Sequence, residues 1–379
     1  AISALSRAIR SGTAAVYRTR AAAPAELSCR PMLRRLLLVL VTSGALLVAA
    51  GVGLLAADWP FLDRLWWGAP LPRVTIDGGG GAFFPPAADA ARTLDAAALD
   101  AAAREAGANG AVALLVLHHG HLQLERYWHG AGRDRLYPLA SLSRTLLGVA
   151  YGRALDDGTV DSLDEPVERW LGEWRDQPRG RITLRQLLWN VSGLETPATG
   201  GWSRLGKGGR LEFGASFART ALSFRPAHEA GTHFALARVD AQLAAIVLAR
   251  ASGMSYAEYI EHALWQPMHA GRAEFAADRR GGMAAAYDGL YASPGDVLRL
   301  GALLAADRDW AGEMARGSIP NPRYGLQARL LGDDGLELAG DGRVLWIWPD
   351  VQLVVVRLGE AMPGQDGGVL PALLRDAVR

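Results

Sequence analysis

The chain of 379 residues is predicted to be an α+β protein preceded by an N-terminal transmembrane helix. Three observations predict this. Residues 36–57 run without a charge, period-2 patterns occur at 111–128 and again at 336–359, and the stretch between them repeats in the helical sense. Strands at both ends with helices between them require a sheet that joins distant parts of the sequence, which is the α+β arrangement. Half of the residues are apolar, enough for a large core, and the net charge is +1 with both signs scattered. No basic face is expected, and so no nucleic-acid partner.

Taken in order, residues 1–31 form a basic leader that stands apart if Met32 is the true start. Residues 32–58 hold the anchor, because Leu36–Ala57 is 22 uncharged residues, long enough to cross a bilayer as a helix. Arg34 and Arg35 precede it and Asp58 follows, which puts the N-terminus in the cytoplasm and everything after Asp58 across the membrane. Trp59, Trp66 and Trp67 fall where an interfacial aromatic belt belongs. A cleaved signal peptide is the competing reading, against which stand the length of the run and the lack of a small-x-small site. Residues 59–90, with Gly78 to Gly81 and several prolines, are expected to be a linker; no Lys-Ser/Thr follows the glycines, so they are not a phosphate loop.

The main domain is expected at 91–379, with a helical subdomain over about 155–285. Leu94–Ala106 has helical periodicity, and Ala111–Trp128 has that of two strands around a turn at His119 and Gly120. Helices are expected over Ser141–Asp157, Leu184–Trp189, Asp240–Ala251 and Ser255–Leu264, stopped at Gly158 and Gly253 among others. Leu336–Gly359 predicts two or three strands with turns at Asp341–Gly342 and Pro349–Asp350, and Leu370–Val378 a last helix. Trp346 and Trp348 alternate on a strand and should pack against helices.

Cys29 is the sole cysteine, which excludes an intramolecular disulfide and a thiolate metal cluster. His118, His119, His121 and His129 lack supporting acid or cysteine spacing, so surface histidines on a hairpin are expected rather than a metal site, and no cofactor is implied. Asn190-Val191-Ser192 matches a glycosylation acceptor but better suits a loop near a cleft.

Five blocks carry a resemblance. "LASLSRTLLGVAYGRALDDGTVDSLDEPVERWL" is followed by "ITLRQLLWNVSGL", "AGTHFALARVDAQLAAIVLARASGMSYAEYI" with "LWQPM", "GLYASPGDVLRLGALL" and "LAGDGRVLWIWPDVQLVVVRLG". Their order and spacing, from about Leu115 to the C-terminus, resemble the β-lactamase-related serine hydrolases, the group of class C β-lactamases, D,D-peptidases, esterases and 6-aminohexanoate-oligomer hydrolases. The resemblance implies a β-lactamase/transpeptidase-like fold: an antiparallel sheet flanked by helices, an all-helical subdomain, and a cleft where they meet. It also implies three catalytic elements: S-x-x-K at a helix start, Y-x-N on a loop, and a glycine-bearing edge strand that supplies an oxyanion-hole N–H.

On these motifs Ser141 takes the nucleophile position, Arg144 the lysine position and Leu236 the tyrosine position, with Arg238 in place of the asparagine. Gly340, Gly342 and Arg343 match the third element. Lys207 is the only lysine of the chain, so no S-x-x-K exists anywhere in it. A buried lysine can titrate near neutrality, whereas arginine, with a pKa above about 12, stays charged and is no base. Loss of a positioned base costs about 10²–10⁴-fold, so efficient hydrolysis by the family mechanism is not expected. Ser141 itself reads equally as a surviving nucleophile and as a helix-start cap. Arg144, Arg238 and Arg343 are expected to face one cleft, either paired with Asp240, Asp341 or other acids, or binding an anionic cell-wall-type ligand. An ester or amide small molecule is the other ligand class that the family implies.

Overall fold

A computed structural model describes residues 30–197, 201–340, 342–361 and 369–378, with the backbone alone at residue 339 and at many positions of 30–57. The chain divides into two compact units, Ala1–Ala57 and Asp58–Arg379. Helix α1 runs Arg30–Trp67, so its last turns belong to the second unit. Among the described residues no helix is long and apolar enough to cross a membrane. Many side chains of Leu36–Ala57, and all of residues 1–29, lie outside the described residues.

In the second unit β1 (Arg73–Asp77), α2 (Ala96–Ala108), β2 (Ala111–His118), β3 (His121–Tyr127) and β4 (Tyr137–Pro138) come first. Helices α3 (Thr145–Asp156), α4 (Leu184–Leu188), α5 (Lys207–Phe213), α6 (Phe217–Leu222), α7 (Arg238–Ser252) and α8 (Tyr256–Ile260) fill the middle. Then follow β5 (Arg272–Ala276), β6 (Leu290–Ala292), α9 (Pro294–Ala306), α10 (Arg308–Ala315), β7 (Arg329–Leu331), β8 (Gly335–Gly340), β9 (Arg343–Trp348), β10 (Leu353–Gly359) and α11 (Leu370–Asp376).

Among the described residues one antiparallel sheet has the order β3-β2-β10-β9-β8-β7. It joins the two ends of the domain, with Val116 opposite Val355 and Val355 opposite Trp346. The β2–β3 turn is made at His119 and Gly120, both with positive φ (49° and 76°), the twist that a two-residue hairpin needs. Alternate residues of β2 enter different cores. Leu114 and Val116 meet α2 and α11 with Trp346 and Trp348, whereas Ala113, Leu115 and Leu117 join the large core on the α9 side. The sheet is therefore buried on both faces, and α9 lies so close that a Cβ on Gly301 would sit 2.4 Å from Val354 Cγ1.

A second sheet, β1-β5-β6-β4, corrects the expected linker. Within 59–90, Arg73–Asp77 is an edge strand paired with β5, and Ile76 is buried. Its alternation of Val74, Thr75 and Ile76 is too short to stand out between prolines and glycines. Strand β5 likewise ends the run of helices before residue 285, the expected limit of the helical subdomain. Helix α7 begins at Arg238, two residues earlier than expected, and stops at Gly253 in the left-handed conformation.

Candidate functional site

Ser141 does not open an α-helix. Ala140–Arg144 is a 3-10 turn that leads into α3, and Ala140 itself has φ 47°, a left-handed conformation that costs a non-glycine residue about 1 kcal/mol or more. Local hydrogen bonds hold that geometry. Ser143 Oγ donates to Ala140 O (2.6 Å) and accepts from Leu290 N (3.0 Å), while Leu139 N donates to Leu290 O (2.8 Å). With Leu142 and Leu146 buried behind it, the turn presents Ser141 on its half-buried outer side.

What Ser141 faces is the last residue of β8. A Cβ built on Gly340 would lie 1.9 Å from Ser141 Oγ and 2.9 Å from Ser141 N. Only glycine lets the strand end approach the hydroxyl this closely, the approach that an oxyanion hole of two backbone donors requires. Gly342 has a different job. Its φ of 80° makes the β8–β9 turn, a Cβ there would meet Glu360 O at 2.1 Å, and its carbonyl accepts from the buried Arg357 (2.7 Å). Arg343 opens β9, and Asp341 lies outside the described residues.

Arg144 and Arg238 converge on a single carboxylate. Arg238 Nε donates to Asp288 Oδ2 (2.9 Å) and its Nη1 to Glu212 Oε2 (2.9 Å). Arg144 Nη2 stands 3.9 Å from Asp288 Oδ1, and its Nε donates to the Tyr287 carbonyl at 3.4 Å. Burial disfavours the Arg238 charge, but Asp288 and Glu212 outweigh it and hold the guanidinium above its ordinary pKa. The acids that balance the arginines are thus Asp288 and Glu212, not Asp240. Asp240 is fully buried on α7 and accepts from Ser192 Oγ (2.6 Å). Burial pushes its carboxyl up to about 7, against the Ser192 hydrogen bonds and the charge of Arg144. Tyr324 also feels that charge: burial raises its phenol to about 12, while Arg144 pulls it down.

Arg144, Leu236 and Arg238 line one cavity of about 240 Å³, together with Leu211, Phe224 and Glu195. Leu236 stands more than half exposed at its wall, an aliphatic side chain with no proton to transfer. Ser141, Gly340, Gly342 and Arg343 do not line it. Asp288, Glu212 and Tyr324 were missed in the sequence, and Asp240 was named there as an arginine partner rather than as a buried acid held by Ser192; of the three, Asp288 alone had a signal, since it directly precedes the "GLYASPGD" block. Among the described residues no group of three or more metal-ligating side chains occurs.

The Beta-lactamase family profile matches residues 96–379. Among solved structures, a Bacillus anthracis protein assigned as a 6-aminohexanoate-dimer hydrolase superposes with TM-score 0.67 at 18% identity, covering 83% of this chain and 92% of that one. EstCE1, a hydrolase with promiscuous acyltransferase activity, follows at 0.61 and 21%, covering 75% and 98%. A D-stereospecific amidohydrolase from Streptomyces sp. follows at 0.56 and 20%, covering 75% and 98%. No curated protein sequence matches the chain. The kept serine turn, the glycine pressed against it and the family match over three quarters of the sequence agree, and the chain belongs to the β-lactamase family of serine hydrolase folds.

Proposed function

We propose that this is a membrane-anchored member of the family, facing the periplasm, in which the proton-transfer machinery has been replaced and the cleft works as a ligand-binding site of an impaired hydrolase or pseudoenzyme. The observation that carries this is the state of Arg144: the side chain in the lysine position is a guanidinium that shares Asp288 with Arg238, and it cannot take a proton from serine. Two arginines against Asp288 and Glu212 leave the cavity wall near charge balance, which supports a neutral ester or amide ligand over an anionic cell-wall-type one. The anchor reading rests on Leu36–Ala57 and the arginines before it.

A second reading, an active Ser141 ester or amide hydrolase with an altered base, is favoured by one observation: the strained Ala140 backbone and the close approach of Gly340 both persist at Ser141. A fluorophosphonate or labelled penicillin separates the two. Binding without active-site chemistry predicts no covalent label on the wild-type chain, whereas labelling that Ser141→Ala abolishes establishes the hydrolase. Under the first reading the double change Arg144→Lys with Leu236→Tyr also leaves the protein unlabelled, because Asp288 still faces the restored amine and keeps it protonated.

A further inference from the structure

Four tryptophans on the second unit have their rings in solvent: Trp59, Trp66 and Trp67 at the end of α1, and Trp202 in the short turn Gly201–Leu205. Trp202, 80% exposed, is far from the others in sequence, yet its ring stands 6.4 Å from that of Trp66 in an edge-on contact. Trp59 and Trp67 pair at 5.6 Å. The opposite face of the same helix end is fixed to the domain. Phe61 is buried beneath Arg210, whose guanidinium grips Asp58 through two bonds (2.8 and 2.7 Å), and Arg64 donates to the carbonyls of Phe213 and Gly214. The patch is therefore a fixed surface of the folded unit, not a fraying terminus.

Trp174, Trp265 and Trp310, by contrast, are built into the domain, their indoles donating to Leu222 O, Gly271 O and Gly148 O. A clustered apolar surface of this kind marks a contact site, and exposed indoles suit the headgroup level of a bilayer, where the ring is apolar and its N–H edge is wet. Continuity selects that occupant over a protein: Trp59 follows by two residues the uncharged run Leu36–Ala57 in the same helix.

We infer that Trp59, Trp66, Trp67 and Trp202 seat the domain on the lipid surface, so that the folded unit lies against the membrane instead of hanging from a flexible tether. This rests on reading Leu36–Ala57 as a span. The turn that carries Trp202 runs directly into α5, whose Gly208 and Leu211 line the Arg144–Leu236 cavity. The seat would therefore hold the turn that leads into the cavity wall.

The test is a spin label at position 202 in the full-length chain, made by Trp202→Cys with Cys29→Ser and reconstituted into phosphatidylcholine/phosphatidylglycerol vesicles. At so exposed a position the change leaves the fold intact, which circular dichroism checks. The expected result is a label that collides more often with lipid-soluble oxygen than with a water-soluble nickel chelate, as a label at Trp66→Cys does, in protein that resists carbonate extraction. A label at 202 reached mainly by the nickel chelate in carbonate-resistant protein overturns the seat while leaving the anchor standing. Shielding from both colliders with spin–spin broadening also overturns it, in favour of a second copy on the patch. Release of the protein by carbonate removes the span, and the seat falls with it.

Discussion

Gly340 has no side chain because the Ser141 hydroxyl fills the space that one would need. Gly340→Ala forces a Cβ to within 1.9 Å of Ser141 Oγ, so either the β8 end or the serine turn must move. A loss of about 1–3 kcal/mol by chemical denaturation is expected. Asp288 is the next decisive residue. Asp288→Asn leaves Arg144 and Arg238 to face each other with Glu212 alone, and, the pair being partly open to solvent, a loss of about 1–2 kcal/mol is expected, with the melting temperature as readout. Asp240 sets a pH dependence whose sign follows from its raised pKa. Between the ordinary carboxyl value of about 3.9 and its native value of about 7 the folded state holds a proton that the unfolded chain has released. Its contribution to stability is therefore full below about pH 4 and is lost as pH rises through about 7. Asp240→Asn should flatten the stability profile across that window, measured by denaturant titration at a series of pH values. Ser141, Arg144 and Leu236 could be put forward as candidates from the sequence because the blocks around them carry the family resemblance. Asp288 and Glu212 could not, since a carboxylate outside the motif becomes a partner only when the chain folds back.

At the scale of elements, the β8–β9 hairpin is held by an arginine from the next strand. Arg357, buried at the centre of β10, donates to the carbonyls of Gly342 and Glu360 (both 2.7 Å) and to that of Asn109. Burial lowers its pKa and the charge of Arg343 adds to this, with Glu360 opposing. Replacing it by leucine strands three carbonyls, and a loss of about 2–4 kcal/mol is expected, with the Gly340 end of β8 the first part to gain hydrogen exchange. Helices and hairpins with strong local signals were legible: the turn at His119–Gly120, the Gly253 stop of α7 and the helix that starts after Ser255. Two elements were not. Strand β1 is stabilised by pairing with β5, about 200 residues away, rather than by any propensity of its own. The helix expected from Ser141 begins instead as the 3-10 turn Ala140–Arg144, held by the bonds of Ser143 to Ala140 and Leu290 and of Leu142 N to Leu139 O.

For the molecule as a whole, the six-stranded sheet separates two cores, and Trp346 anchors the smaller. Its indole donates to the buried Glu337 (2.9 Å) and packs with Leu114, Val116 and Leu374, residues drawn from both ends of the domain. Trp346→Ala should cost about 3–5 kcal/mol and lower a single cooperative transition, because the cavity opens where the first and last segments meet. The sequence by itself determined the class: alternation and helical periodicity place strands at the two ends, and motif order puts Ser141, Arg144 and Leu236 forward as candidates for the family positions, since both are properties of spacing along the chain. Tertiary structure decided what those positions contain. That Gly340 rather than Gly342 meets Ser141, that Asp288 joins Arg144 to Arg238, and that Trp202 completes a tryptophan surface with Trp66 all follow from packing between segments far apart in sequence. The physical reason is that a contact energy depends on distance in space, and no local pattern of residues encodes that distance.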